Sequence, residues 1–257
     1  MTLPARILQL LFNVLFCGAM LSLVACEEAP SPMDHSDHAY HQHHEVSTEP
    51  NDTTLEAIIS ENAGQTLPYF NSESFTPIWL EPGSAELEGF HHIPEFAFIN
   101  QAGQRISSKE YEGKIYVATF FFTTCPGICP MLNQRLLTVQ NAVSEFEDVR
   151  ILSHSITPQI DTVEALRAYA EEKGIDSGTW DLVTGERDAI YAVAKEGYFA
   201  SEDMGESQAL GDFNHTENVL LIDKDGRIRG IYNGLSRNAV LNIIADIELL
   251  RVEQPVS

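Results

Sequence analysis

Ile115-Tyr116-Val117-Ala118-Thr119-Phe120-Phe121-Phe122 runs directly into Thr123-Thr124-Cys125-Pro126-Gly127-Ile128-Cys129-Pro130. A short apolar run closed by a Pro/Gly turn reads as a buried strand. Beyond it, Leu132, Leu136, Val139 and Val143 recur at helical spacing within residues 131–146. Cys125 and Cys129 therefore stand at a strand-to-helix corner, Cys129 in or near the first helical turn. Unpaired backbone N–H groups and the positive end of the helix dipole favour thiolate there. A thiolate attacks disulfides and also binds soft metals, so the corner suits either thiol exchange or metal capture.

Working outward, Ile93 to Ile99 reads as a strand followed by a turn at Gln101-Ala102-Gly103-Gln104. Val149 to Ile156 alternates like a strand. Asp161-Thr162-Val163-Glu164 opens a helix with an acidic cap; the helix runs to about Lys173 and stops at Gly174. Trp180 to Val183 is a short strand and Glu186 to Lys195 a helix. Val219 to Ile222 and Ile228 to Tyr232 flank Asp223-Lys224-Asp225-Gly226-Arg227, a hairpin signal. Ser236 to Arg251 closes the chain as an amphipathic helix. Alternating strands and helices ending in a hairpin and a helix predict an α/β fold, a central mixed sheet covered on both faces. With a dithiol at a strand-to-helix corner, the economical choice is thioredoxin-like. Trp79, Trp180 and the run Phe120 to Phe122 are expected in the core. His154, His91 and His92 read as structural or surface residues.

The N-terminus predicts a compartment. Arg6 precedes a mostly apolar stretch from Ile7 to Val24 that ends in Leu23-Val24-Ala25-Cys26. A basic start, an apolar core and small residues before a cleavage point make an export signal over 1–25. Cysteine directly after Leu-Val-Ala resembles the bacterial lipobox, in which that cysteine becomes the lipidated first residue. The rival is an uncleaved transmembrane anchor, since the stretch is nearly long enough to span. The expected location is a bacterial membrane, lipid-anchored through Cys26 and facing the periplasm. Cys17 leaves with the signal, so Cys125 and Cys129 are the cysteines of the mature domain. A disulfide between them closes too small a loop to add much stability; chemistry is the better reading of the pair.

The chain carries 38 acidic and 15 basic residues, a formal charge of −23, which repels nucleic acid and anionic headgroups. Residues 26–66 form a polar, acidic tract with Pro30, Pro32 and Pro50 that reads as a flexible linker. Within it His35, His38, His41, His43 and His44 make a possible auxiliary metal tract, because imidazole clusters bind copper, zinc or nickel. The alternative is a hydrophilic spacer. Residues 67–257 suit one domain.

Asp212-Phe213-Asn214-His215-Thr216 precedes the strand at Val219. In a thioredoxin-like sheet the segment entering that strand approaches the dithiol, so His215 is a candidate third ligand. Two thiolates and an imidazole suit Cu(I) and also accept Zn(II). Thioredoxins place a proline before this strand to present backbone to a bound polypeptide; residues 212–217 contain none. The separation of the cysteines by three residues rather than two also departs from the usual redox motif.

These residues resemble the Sco/SenC family of copper-site assembly proteins. Phe122 to Pro130 is similar to its T-x-C-P-x-x-C-P motif, and Ser155-Ile156-Thr157-Pro158-Gln159-Ile160-Asp161-Thr162 to its S-x-D-P-x-x-D-T segment. Trp180 to Gly185 resembles its W-x-x-L-T-G turn, and His215 with Val219 to Asp223 its H-…-L-I-D segment. The resemblance covers roughly residues 67–251. It implies a thioredoxin-like fold with a β-hairpin insertion and one copper held by Cys125, Cys129 and His215. It further implies delivery of copper to, or preparation of, the Cu-A site of cytochrome c oxidase subunit II or another cuproprotein. Gly127 and Thr157 stand where the family usually has aspartate, which removes carboxylates from beside the thiols and eases thiolate formation. The leading expectation is a membrane-tethered metallochaperone for Cu(I) or Cu(II), without enzymatic turnover. Its rivals are a thiol–disulfide oxidoreductase using Cys125 and Cys129, a copper-sequestering lipoprotein, and more distantly a peroxidase.

Overall fold

The computed structural model of the protein describes residues 54–62, 64–200 and 217–253. Among them the strands are β1 (Ala97–Asn100), β2 (Arg105–Ser107), β3 (Ile115–Phe121), β4 (Val149–Ser155), β5 (Trp180–Thr184), β6 (Asn218–Ile222) and β7 (Ile228–Asn233). They form one sheet in the order β2-β1-β5-β4-β3-β6-β7. The helices are α1 (Leu55–Asn62), α2 (Cys129–Val143), α3 (Val163–Lys173), α4 (Arg187–Ala192) and α5 (Arg237–Val252). A π-helical turn, Val193–Gly197, extends α4.

Strands β3, β4 and β5 run parallel, while β6 and β7 on one side and β1 and β2 on the other pair antiparallel. Every residue of β3 and of β5 is buried. Strands covered on both faces lose the in–out alternation of a half-exposed strand, which explains the continuous apolar run in the sequence. Right-handed parallel crossovers put α2 and α3 on one face, and α5 packs against α2. Neighbours in a parallel pair share a face, so Thr119 and Ser153 point one way and Phe120 and His154 the other. The first face carries the dithiol helix. The second holds an aromatic layer in which His154 lies among Phe96, Phe98, Phe120 and Tyr198.

Local chemistry sets the ends of the elements. The Thr162 hydroxyl accepts from the Ala165 amide (3.3 Å), and Gly174 ends α3 in the left-handed region at φ 73°. Ser236 caps α5 through Ala239 in the same way. The cap of α3 is thus Thr162 and not the acidic Asp161, whose carboxylate is used elsewhere. Strand β1 begins at Ala97 and not at Ile93, because Pro94 has no N–H and the Ile93 amide is drawn to the Gly226 carbonyl (2.8 Å).

Two further differences from the sequence reading are physical. Helix α1 falls within residues 26–66, whose composition predicts a linker; Ile58 is buried, and the Asn62 amide donates to Asp246 of α5 (3.4 Å). Trp79, expected in the core, is 62% exposed. The inner places of that arm are taken by Tyr69, which lies under the Arg229 guanidinium (3.9 Å), and by Phe70, whose amide bonds Ile228. Trp180 and Phe120 to Phe122 are buried as expected.

Candidate metal centre

The strand-to-helix corner is built from the exit of β3 and the first turn of α2. The Cys125 amide donates to the Phe122 carbonyl (3.3 Å), closing a tight turn as the chain leaves the sheet. Cys129 is the first residue of α2, followed by Pro130, whose missing N–H costs nothing in a first turn. No side chain caps this helix. Cys125 and Cys129 are both buried and both free thiols, so the structure brings the two sequence-predicted sulfurs together.

Their protonation differs from the sequence expectation. Burial first, and the adjacent Cys125 thiol second, push Cys129 up to about 12. A helix N-terminus favours thiolate, but at this corner the loss of solvent outweighs it. Burial thus favours the neutral thiol at Cys129, and a metal bound by that sulfur would displace its proton to solvent. Behind Cys129 the packing leaves a cavity of about 10 Å³ between α2 and the sheet, barely the volume a single water needs. It is bounded by a hydroxyl chain in which the Trp180 indole donates to Ser153 (2.8 Å) and Ser153 pairs with Thr119 (2.8 Å). Met131 and Ile160, near the two cysteines and the Asp161 cluster in sequence, are exposed.

Asp161 is a site residue that the sequence reading passed over. Fully buried, its carboxylate accepts from the Thr123 hydroxyl (2.5 Å), the Thr123 amide (3.2 Å), the Ser155 hydroxyl (2.6 Å) and the Thr157 hydroxyl (3.0 Å). A carboxylate thus remains near the dithiol despite Gly127 and Thr157, and Thr157 serves it as a donor. The available signal was the S-x-T-P-x-x-D-T spacing itself, which places two hydroxyl residues before a buried acid. Gly127 sits in open space: a Cβ there would meet no atom within 4 Å.

Two soft sulfur donors side by side fit copper, as donor chemistry. Among the described residues no cluster of three His, Cys, Asp or Glu forms a metal site. His215, the tract His35, His38, His41, His43 and His44, and Cys26 lie outside the described residues. No helix among the described residues is long and apolar enough to cross a membrane. His154 is confirmed as structural. Its Nε2 lies 3.3 Å from the Tyr198 hydroxyl, Nδ1 has no partner among the described residues, and burial holds its pKa down to about 3.

A dithiol at the strand-to-helix corner of a mixed sheet with helices on both faces defines a thioredoxin-like protein. The SCO1/SenC family model matches residues 84–249, and the chain belongs to that family. It is 29% identical over 162 residues to the SCO1 protein homolog of Bacillus subtilis, covering 62% of this chain and 82% of that protein. Among solved structures it is similar to BsSco, described as a member of the Sco family of cytochrome c oxidase assembly proteins and as having a disulfide switch. That match has 28% identity and a TM-score of 0.54, over 64% of this chain and 95% of the other. The fold is also that of Bradyrhizobium japonicum ScoI with copper bound, at 23% identity and TM-score 0.50, over 61% of this chain and 98% of that one.

Proposed function

We propose that this protein is a membrane-tethered copper metallochaperone that binds one copper ion through Cys125, Cys129 and His215. It delivers the ion to, or prepares, the Cu-A site of cytochrome c oxidase subunit II or a similar cuproprotein. The observation that carries the reading is the pair of reduced, buried sulfurs at the β3–α2 corner of a SCO1/SenC chain. Copper is the cargo: two thiolates hold Cu(I), and an imidazole adds tolerance for Cu(II). The position of β6 supports His215 as third ligand. β6 runs antiparallel to β3, Leu220 opposite Ala118, so Asn218 stands at the sheet end from which Cys125 emerges. The described chain resumes at Glu217, two residues after His215. Cleavage before Cys26 and lipidation there would tether the protein on the periplasmic side, raising its effective concentration at a membrane target. The histidine tract in residues 35–44 is an auxiliary metal-capturing segment in this scheme.

Titration with Cu(I) against a competing chelator tests the reading. Wild type should take one tight equivalent that is lost in Cys125→Ser, Cys129→Ser and His215→Ala. Equal binding in all four proteins would sink the copper carrier. Deleting residues 27–53 should leave that tight equivalent and remove only weaker binding.

The same free dithiol supports a second function, a thiol–disulfide oxidoreductase acting on the oxidase cysteines. His215→Ala separates the two: copper delivery fails without the imidazole, whereas thiol exchange survives.

A further inference from the structure

The dithiol has one fixed support and one adjustable one. On the Cys129 side the support is helix α2, whose first bonded amide is Leu132 to Ile128 (2.9 Å). On the Cys125 side there is no helix, only the turn through Thr123 and Thr124. Between them Gly127 faces open space, so Pro126 to Ile128 has room to adjust. The Cys125 amide is tied to the Phe122 carbonyl (3.3 Å), so the placement of Cys125 depends on how the intervening Thr123 is held.

That group is Asp161. A carboxylate has about four lone-pair sites, and here four donor groups from three segments fill them. Thr123 supplies its amide and hydroxyl from the exit of β3, Ser155 its hydroxyl from the end of β4, and Thr157 its hydroxyl from the loop ahead of α3. Asp161 is itself anchored, its amide donating to the Thr157 carbonyl (2.9 Å), and Thr162 after it caps α3. The acid is fully buried. Hydrogen bonds to an ionised acceptor are the strong kind, and a buried donor left without its acceptor is costly.

We propose that Asp161 is the positioning residue of the dithiol: by clamping Thr123 it presents Cys125 to Cys129, and so governs both copper affinity and the dithiol–disulfide balance. The copper half rests on the function proposed above; the disulfide half does not. A disulfide requires the sulfurs at about 2.05 Å, and a shared metal ion requires both to point at one centre. Each state gains from a Cys125 held in place beforehand, because the ordering cost is met in the fold. Thr157 belongs to this device, since its hydroxyl fills an acceptor site on Asp161 (3.0 Å).

The clamp and the negative charge of Asp161 act in opposite directions on copper. Two thiolates around Cu(I) carry net negative charge, so a nearby carboxylate opposes them, whereas a clamp assists them. Thr123→Val removes one clamp bond and leaves the charge; Thr123→Ser restores the hydroxyl; Asp161→Asn removes the charge and disturbs all four bonds. Each protein is equilibrated with dithiothreitol mixtures, in which the oxidised reagent takes two electrons and two protons from Cys125 and Cys129 and becomes the dithiol. Each is also titrated with Cu(I) against bicinchoninate. Thr123→Val should shift the equilibrium about tenfold toward the protein dithiol and weaken Cu(I) about tenfold, with Thr123→Ser within about twofold of wild type; Asp161→Asn should shift the disulfide balance as Thr123→Val does and weaken Cu(I) by less, because its lost charge offsets part of the lost clamp. Folded Thr123→Val behaving as wild type in both overturns the clamp, as does Asp161→Asn tightening copper while Thr123→Val changes nothing. If Asp161→Asn does not fold, the Thr123 pair decides. A shifted disulfide balance in a protein whose wild type holds no copper upholds the clamp and removes the copper carrier.

Discussion

Cys129 shows how far a residue's chemistry depends on its surroundings. Its place at a helix start argues for a thiolate, yet burial and the neighbouring thiol push it up to about 12. Metal binding at neutral pH must then expel its proton. Below about pH 12 each pH unit lowers the cost of that loss by about 1.4 kcal/mol. Apparent Cu(I) affinity, measured against a chelator corrected for its own protonation, should therefore rise about tenfold per pH unit for this proton between pH 6 and 9. A flat profile would mean that Cys129 is already ionised in the free protein. At this scale the two sulfurs were legible from spacing alone, since four residues of chain cannot part them far. Asp161 was read as a helix cap because capping is a local rule, whereas its donor Thr123 comes from beyond the end of β3, 38 residues away.

Among the elements, the entry of β6 is tied to the dithiol helix through Gly234. The Gly234 amide donates to the Glu217 carbonyl (2.7 Å). A Cβ added there would collide with Leu132 Cδ1 of α2 and lie 2.6 Å from Val219 Cγ2. Gly234→Ala should therefore destabilise the protein by roughly 1–3 kcal/mol, the usual range for overpacking, read as a lower urea midpoint at unchanged slope. An unaltered midpoint would mean that α2 and β6 can part without penalty. The elements themselves were largely visible in sequence: β3, β4, the β6–β7 hairpin, α3 and α5 follow from periodicity, turn residues and caps. Strand β2 escaped because Arg105–Ser107 is three residues long and carries no apolar pattern. Helix α1 escaped because its few apolar residues acquire meaning only against α5.

Across the whole molecule, His154 ties stability to pH. The folded imidazole titrates at about 3, against an ordinary value of 6.5, because burial disfavours the cation. Between those values the unfolded chain binds a proton that the folded chain refuses, so stability rises with pH. The contribution is complete above pH 6.5 and is lost as pH falls toward 3, at about 1.4 kcal/mol per unit. Asp223 and Asp246, whose pKa values are raised chiefly by burial, act with the opposite sign. A comparison with His154→Leu isolates the histidine: between pH 7 and pH 4.5 the wild type should lose more stability in urea than the variant, by roughly 2–3 kcal/mol. Parallel losses would show that His154 charges freely in the fold.

Residue type and spacing along the chain were enough for the mixed sheet, the corner and its two sulfurs, because strand period, turn chemistry and cysteine separation are local properties. Neighbours distant in sequence decided the rest: the neutral state of Cys129, the burial of His154 among rings from β1 and its approach, β3 and the segment after α4, the outward Trp79, and the arrival of Thr123 at Asp161. Desolvation and long-range hydrogen-bond partnership exist only once the strands have come together; of these features only the Ser155 and Thr157 partners of Asp161 left a mark in a single stretch of the chain.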